Sequence, residues 1–366
     1  MKIAANDLKR QHDIHAKEYN DKAVEVLNSG WYILGNEVKE FEKEFGEYIG
    51  SKYCVGCASG LDALQIAFRV LGIGQGDEVI VCSNAYIACL MGVTMNGGTP
   101  VLVEPDEYDN LDASKIEEKI TEKTKAILAV HLYGQACDMT KIMAIAGKYD
   151  LKVVEDCAQA HGTKWNDVNV GKIGDIGCWS FYPTKNLGGF GDGGALTTDN
   201  EEYAKQFKVI RNYGSKRVHY ENDIIGMNSR LDELQAGLLR VKLKYLDEMN
   251  DERRKIAGRY DKEVHNPLIR PLQTRPGSYN VYHQYVVHCD KRDELIEYLK
   301  GFEIGTIIHY PIPPHLQKAY EYLGYKKGDL PIAEKYADEV LSLPMYNGMS
   351  DEEQSFVIEK LNSFKG

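Results

Sequence analysis

No apolar run in the 366 residues approaches the roughly 20 needed to span a membrane, and positions 1–20 carry acids, amides and two histidines where a signal peptide needs an apolar stretch. A cytoplasmic protein that does not enter the membrane is expected. Basic residues are outnumbered, 44 Lys and Arg against 55 Asp and Glu for a net charge of −11. That balance argues against DNA or RNA as the main partner, because nucleic-acid affinity comes largely from neutralising phosphates. Cysteine is sparse: the eight (54, 57, 82, 89, 137, 157, 178, 289) fall mostly in apolar or glycine-rich segments rather than at disulfide-scaffold spacing. Cys54-Val-Gly-Cys57 has C-x-x-C spacing but no second pair and no histidine cluster to complete a tetrahedral site, so no metal is expected. Low-complexity linkers, internal repeats and the G-x-x-x-x-G-K-[ST] phosphate loop are also missing.

What is present is ordinary for a folded chain of about two domains, with 43% hydrophobic and 27% charged residues. Segments 18–29, 37–48 and 61–71 have helical spacing, with Gly30 and Gly50 as stops. Short Val/Ile/Leu-rich runs at 79–82, 100–103, 126–132, 151–155, 176–181 and 194–198 then alternate with helical stretches at 84–95, 112–119, 139–148 and 201–210. Such alternation predicts an α/β fold with a buried, mostly parallel sheet flanked by helices. A long helical region over 231–264 leads into a different texture: strand 281–288, helix 292–300, strand 304–308 and two more helices. The expected division is a large α/β domain over 1–250 and a smaller α+β domain over 251–366.

Chemistry concentrates between Val153 and Leu196. Gly189-Phe-Gly-Asp-Gly-Gly194 satisfies G-x-G-x-x-G, but a strand-like run follows it where a dinucleotide site needs a helix, and position 214 is Gly where an acid should hold the ribose. Lys185 is the better focus. It follows an apolar strand, between Pro183-Thr184 and a glycine-rich stretch, while Asp156 closes the strand 29 positions earlier, at the strand end where α/β sheets place ligand-binding groups. A lysine that attacks a carbonyl must first lose its proton, which burial in such a pocket favours. An aspartate facing the same pocket pairs with a protonated pyridine nitrogen. Together the two residues point to pyridoxal phosphate. Ala58-Ser59-Gly60-Leu61 reads either as a plain capped helix start or as a cradle for the phosphate. Ser180 offers a hydroxyl from the strand end, and Tyr86 is either packing or a ring to stack on the cofactor. His131, His161 and His283 are each candidates for proton transfer, and His131, within an apolar stretch, is better read as a hydrogen-bonded structural residue.

The run S-x-x-P-T-K-N-L-G-x-x-G-D-G-G-A (180–195), preceded by E-D-C-A-Q-A-H-G (155–162), resembles the DegT/StrS family of pyridoxal-phosphate-dependent nucleotide-sugar aminotransferases. SGWYILGNEVKEFEKEF, HLYGQ, RNYGSK, GMNSRLDELQA, HYPIPPHLQ and LSLPM extend the resemblance over nearly the whole chain. It implies a fold type I aminotransferase, a homodimer with active sites shared between subunits. In that reading Lys185 carries the cofactor and later shuttles protons, Asp156 holds the ring nitrogen, and Gln159 sits near the ring hydroxyl. Ser180, Ser59 and the backbone at Gly60 and Leu61 bind the phosphate, with Asn228 reaching it from the partner. Tyr182, Tyr220, Tyr310 and His315 line the sugar or nucleotide pocket. Leu61 stands where the family usually has Thr, which removes one phosphate hydroxyl. Lys185 itself separates the chain from relatives that carry His there and deoxygenate sugars.

HLYGQ with RNYGSK and HYPIPPH is similar to the members that act on dTDP-3-oxo-6-deoxyhexoses with glutamate as amino donor, the alternative being C4 of a UDP- or GDP-4-keto-6-deoxy sugar. Because a net charge of −11 exerts no long-range pull on a nucleotide diphosphate, a local basic cluster is expected at Arg211, Lys216 and Arg217, which otherwise form an ordinary solvated patch. A nicotinamide-dependent oxidoreductase and a non-catalytic regulatory protein on the same fold are the rival readings.

Overall fold

The structure is a computed structural model that describes residues 1–215 and 221–366. Its centre is a seven-stranded sheet in the order Tyr53–Cys57, Gly194–Thr198, Ile176–Ser180, Lys152–Asp156, Thr124–Val130, Glu78–Cys82, Thr99–Val103. Six strands run in one direction; Gly194–Thr198 alone is reversed, antiparallel to both its neighbours. The apolar runs predicted to be strands form this sheet because each is buried on both faces, as parallel strands between helical layers must be. Tyr53–Cys57 is the strand the sequence reading missed, its alternation masked by Gly56 and small cysteines. Residues three apart on a strand point to opposite faces, and Cys54 and Cys57 accordingly enter different apolar cores. All eight cysteines are buried free thiols.

Three expected helices change form. The one predicted over 84–95 begins only at Ile87, because Tyr86 is extended. The 112–119 stretch is two short 3₁₀ turns, Ala113–Lys115 and Glu117–Lys119, the first held by the Asp112 side chain on the Ser114 N–H. The 231–264 region is two helices, Glu233–Leu243 and Leu246–Glu263, broken at Lys244-Tyr245. A further helix, Leu8–Ile14, precedes Ala16–Ser29.

In the tail, the strand predicted over 281–288 shrinks to Tyr285–His288, since Tyr282 lies in the left-handed region at φ 45°. Residues 304–308 make only isolated bridges, Ile304 to Ile3 and Ile307 to Ser342. Val340–Leu343, between the last two helices, is a strand that pairs with Tyr285–His288. The apolar contacts gather around two regions. One lies on the faces of the large sheet, where Phe41, Phe45, Trp179 and Phe181 are fully buried, each worth about 1.5–3 kcal/mol relative to exposure. The other joins Tyr260, Leu295, Leu341 and Leu361, and takes in Ile3 from the start of the chain.

Candidate active site

A cavity of about 560 Å³ opens at the ends of the parallel strands, where strand termini and helix starts converge on one volume. Asp156, the last residue of Lys152–Asp156, forms its floor. One carboxylate oxygen accepts the Ala158 N–H at 2.9 Å and the other accepts the Cys89 thiol at 3.1 Å. The carboxylate is thus fixed from the protein side, with lone pairs left for a ligand.

Lys185 lines the same cavity from the turn after Ile176–Ser180, where its backbone N–H closes on the Tyr182 carbonyl at 2.9 Å. Among the described residues its amine has no hydrogen-bond partner. Burial pulls its pKa down to about 8, against the opposing pull of the Asp156 charge. An amine so placed is available as a nucleophile and a proton carrier near neutral pH.

Above these groups the helix Gly60–Val70 starts at the cavity wall. Ser59 caps it by accepting the Asp62 N–H at 3.1 Å, and the Ser229 hydroxyl donates to Asp62 at 2.6 Å. The amides of Gly60 and Leu61, the first two of the helix, have no intrahelical acceptor and with the helix dipole form an anion site. Ser180 completes it from the strand. A Cβ at position 60 would fall 2.6 Å from the Ser180 Cβ, so the close approach of cradle and hydroxyl requires glycine there. Gly60→Ala is therefore expected to push Ser180 away and weaken retention of a phosphate-bearing ligand by about tenfold or more, the loss of one charge-assisted hydrogen bond. Equilibrium dialysis of the cofactor against wild type and variant measures it.

Gln159 ties the site together: its carbonyl accepts the Tyr133 N–H at 2.6 Å and its amide donates to the Tyr310 hydroxyl at 3.1 Å. Tyr133, at φ 61°, also donates its hydroxyl to the His309 carbonyl, so two bonds anchor the His309-Tyr310 segment to the large sheet. The Tyr86 ring lies 5.0 Å from that of Tyr310, and Tyr86 and Tyr182 are both half-exposed at the cavity edge.

Other expected residues lie elsewhere. His315 is buried against Glu334, Nε2 to Oε1 3.0 Å, and does not line the cavity. The heptapeptide HYPIPPH holds two histidines, and His309, passed over in the sequence, is the one that lines it. Burial and the Lys185 charge push His309 down to about 4, so it is neutral. Asn228 is exposed, bridged to Asn212, and does not line the cavity of its own chain. Arg211 is not free to attract an anion. Its guanidinium is buried on Glu42 and donates to the Gly56 carbonyl at 2.6 Å, so the expected basic cluster loses that member. Lys216, Arg217 and Tyr220 fall outside the described residues.

Of the three histidines considered for proton transfer, His131 donates from Nε2 to Glu155 at 3.0 Å and accepts the Cys137 N–H on Nδ1 at 3.1 Å, a buried structural pair. Cys157 lies near this pair, but the two Glu155 oxygens already accept from His131 and from the Gly171, Ile173 and Gly174 amides, so the group is committed to the fold. His161 packs among Phe45, Trp179 and Phe181, its pKa lowered to about 3 by burial. His283 lines the cavity with Nδ1 on Asn186 at 3.2 Å, and burial beside Lys185 keeps it neutral. Gln284, Thr184 and Asp192 also face the cavity. Thr184 and Asp192 come from the loop between Ser180 and Gly194 that also carries Lys185, and Gln284 from the position just before Tyr285–His288, so only Gln284 is brought in from a distant part of the chain.

An unpartnered, part-buried amine, an anchored carboxylate and a helix-start anion cradle around one cavity fit pyridoxal phosphate group by group, and define an aminotransferase of that cofactor. The chain belongs to the DegT/DnrJ/EryC1/StrS aminotransferase family, whose sequence pattern matches residues 13–362. It is 51% identical over 98% of both chains to the dTDP-3-amino-3,6-dideoxy-alpha-D-galactopyranose transaminase of Aneurinibacillus thermoaerophilus. Its structure matches that of S. venezuelae DesV in complex with a ketimine intermediate at a TM-score of 0.97, with 42% identity over 99% of this chain and 98% of that one. It also matches ntda from Bacillus subtilis with bound cofactor pmp at a TM-score of 0.89, with 33% identity over 97% of this chain and 83% of that one. The enzyme is a transaminase, its cofactor is pyridoxal phosphate, and no described helix is long and apolar enough to cross a membrane.

Proposed function

We propose that the enzyme moves the amino group of glutamate to C3 of a dTDP-3-oxo-6-deoxyhexose, giving the dTDP-3-amino-3,6-dideoxyhexose for glycan assembly, as a cytoplasmic homodimer. The observation that carries the chemistry is the Lys185 amine, unpaired and depressed to about 8, in the cavity floored by Asp156. The name of the relative at 51% identity supports the sugar and the position. Residues 1–250 hold the cofactor in this reading, and 251–366 bring Tyr310 to the cavity.

Bound pyridoxal phosphate supplies a carbonyl carbon to carry the amine and a ring that takes up the electron pair left when a substrate C–H proton departs. Lys185 holds the cofactor before substrate enters. It then takes the proton from the donor's α-carbon and returns one at sugar C3 as general base and acid. Asp156, locked by Ala158 and Cys89, keeps the ring nitrogen protonated. Gln159 would sit beside the ring, and the Gly60 and Leu61 amides with Ser59 and Ser180 would hold the phosphate. Tyr86, half-exposed at the cavity edge, would stack on the ring, and Tyr182 and Tyr310 would line the sugar pocket. The exposed Asn228 is free to reach the phosphate of a second subunit.

Glutamate is expected to bleach the yellow holoenzyme, and the colour to return on adding the dTDP-3-oxo-6-deoxyhexose and not a UDP- or GDP-4-oxo sugar. Recovery with the 4-oxo sugars alone moves the reaction to C4. No bleaching by glutamate rejects it as donor.

A further inference from the structure

A second cavity, about 390 Å³, shares no lining residue with the first. Leu8, Tyr19 and Phe190 give it apolar walls, Gln11 and His12 add polar edges, and Pro183, Gly188 and Gly189 border it from the segment that carries Lys185. The Tyr19 and Phe190 rings meet edge to face at 5.0 Å, and His12 stacks on Tyr19 at 5.9 Å.

Lys242 also lines it. Only 7% of this residue is exposed, and its ammonium makes one hydrogen bond, to the Gly188 carbonyl at 3.1 Å. Among the described residues no carboxylate lies within ion-pair distance of it. The other charges of the cavity are matched: Lys9 pairs with Asp13 at 2.5 Å, and Asp13 also bonds His12 at 3.0 Å. A buried cation with two unused donors costs free energy that a bound anion would recover. Burial depresses the Lys242 amine to about 8, which leaves it mostly charged at neutral pH. A volume of this size with mainly apolar walls and one convergent charge has the character of a small-molecule site. A single cation against aromatic walls suits a monoanion with an apolar body better than a phosphate dianion.

We propose that this cavity binds a small organic carboxylate, with its charge on Lys242 and its body against Tyr19 and Phe190. Because the same ammonium holds Gly188, three residues from Lys185, the site borders the catalytic turn without entering it.

The probe is 4-bromobenzoate, soaked into crystals of the holoenzyme and titrated in solution by calorimetry. The bromine is expected beside Phe190, with affinity falling at least tenfold in Lys242→Met and also in Phe190→Ala, and with inorganic phosphate failing to compete. Phe190 is half-exposed, so its variant tests the site even if Lys242→Met does not fold. A bromine found only elsewhere, or equal affinity in wild type and Phe190→Ala, overturns the proposal.

Discussion

Lys185→Ala is expected to lower turnover by about 10³-fold or more while leaving the protein folded. Positioned acid–base catalysis alone is worth about 10²–10⁴, and the variant also loses the amine that holds the cofactor. Lys185→Arg is expected to fail equally, because a guanidinium keeps the charge but cannot give up its proton. Stopped-flow assay of both variants against wild type, with circular dichroism to confirm folding, measures this. A variant turning over near the wild-type rate removes Lys185 from the reaction. Burial of the amine also shows in stability. With a folded pKa near 8 against about 10.4 for free lysine, the unfolded chain binds a proton that the folded one has shed, so the cofactor-free protein gains stability as pH rises between those values. The buried Lys242, also held near 8, contributes a similar slope, and Lys185→Ala is expected to remove about half of their combined slope.

Asp156→Asn is the second large effect. The amide keeps the shape and the Ala158 contact but cannot stabilise a protonated ring nitrogen, so the ring loses its hold on the electron pair. Loss of about 10²–10³ in kcat is expected, together with a cofactor affinity weaker by about 10- to 100-fold, matching the roughly 1.5–3 kcal/mol of a hydrogen bond to a charged group. Single-turnover kinetics with saturating cofactor separates the two. If kcat is unchanged at saturation, Asp156 serves affinity alone.

The alternating apolar runs revealed the large sheet because buried parallel strands have no polar face to disguise them. Tyr53–Cys57 stayed hidden behind glycine and small thiols, and Val340–Leu343 behind flanking helical patterns. Lys185 and Asp156 were legible because Asp156 ends an apolar strand and Lys185 lies in the loop after one, so their company in sequence already reports their place in the sheet. Gly60 and Ser180 lie 120 positions apart, and only the 2.6 Å approach shows why glycine is needed. Arg211 and His315 illustrate the converse. A charge or an imidazole in a suggestive motif is as readily spent on an internal partner, here Glu42 and Glu334, and the partner is not visible from spacing. The same limit explains His309: the motif names two histidines, and packing alone chooses between them.

The most direct test of the account is the product itself. Purified holoenzyme incubated with ¹⁵N-glutamate and the dTDP-3-oxo-6-deoxyhexose is predicted to give a sugar nucleotide whose ¹⁵N couples to C3 in the NMR spectrum, with stoichiometric 2-oxoglutarate. Label bonded to C4, or 2-oxoglutarate formed without any labelled sugar, would contradict it.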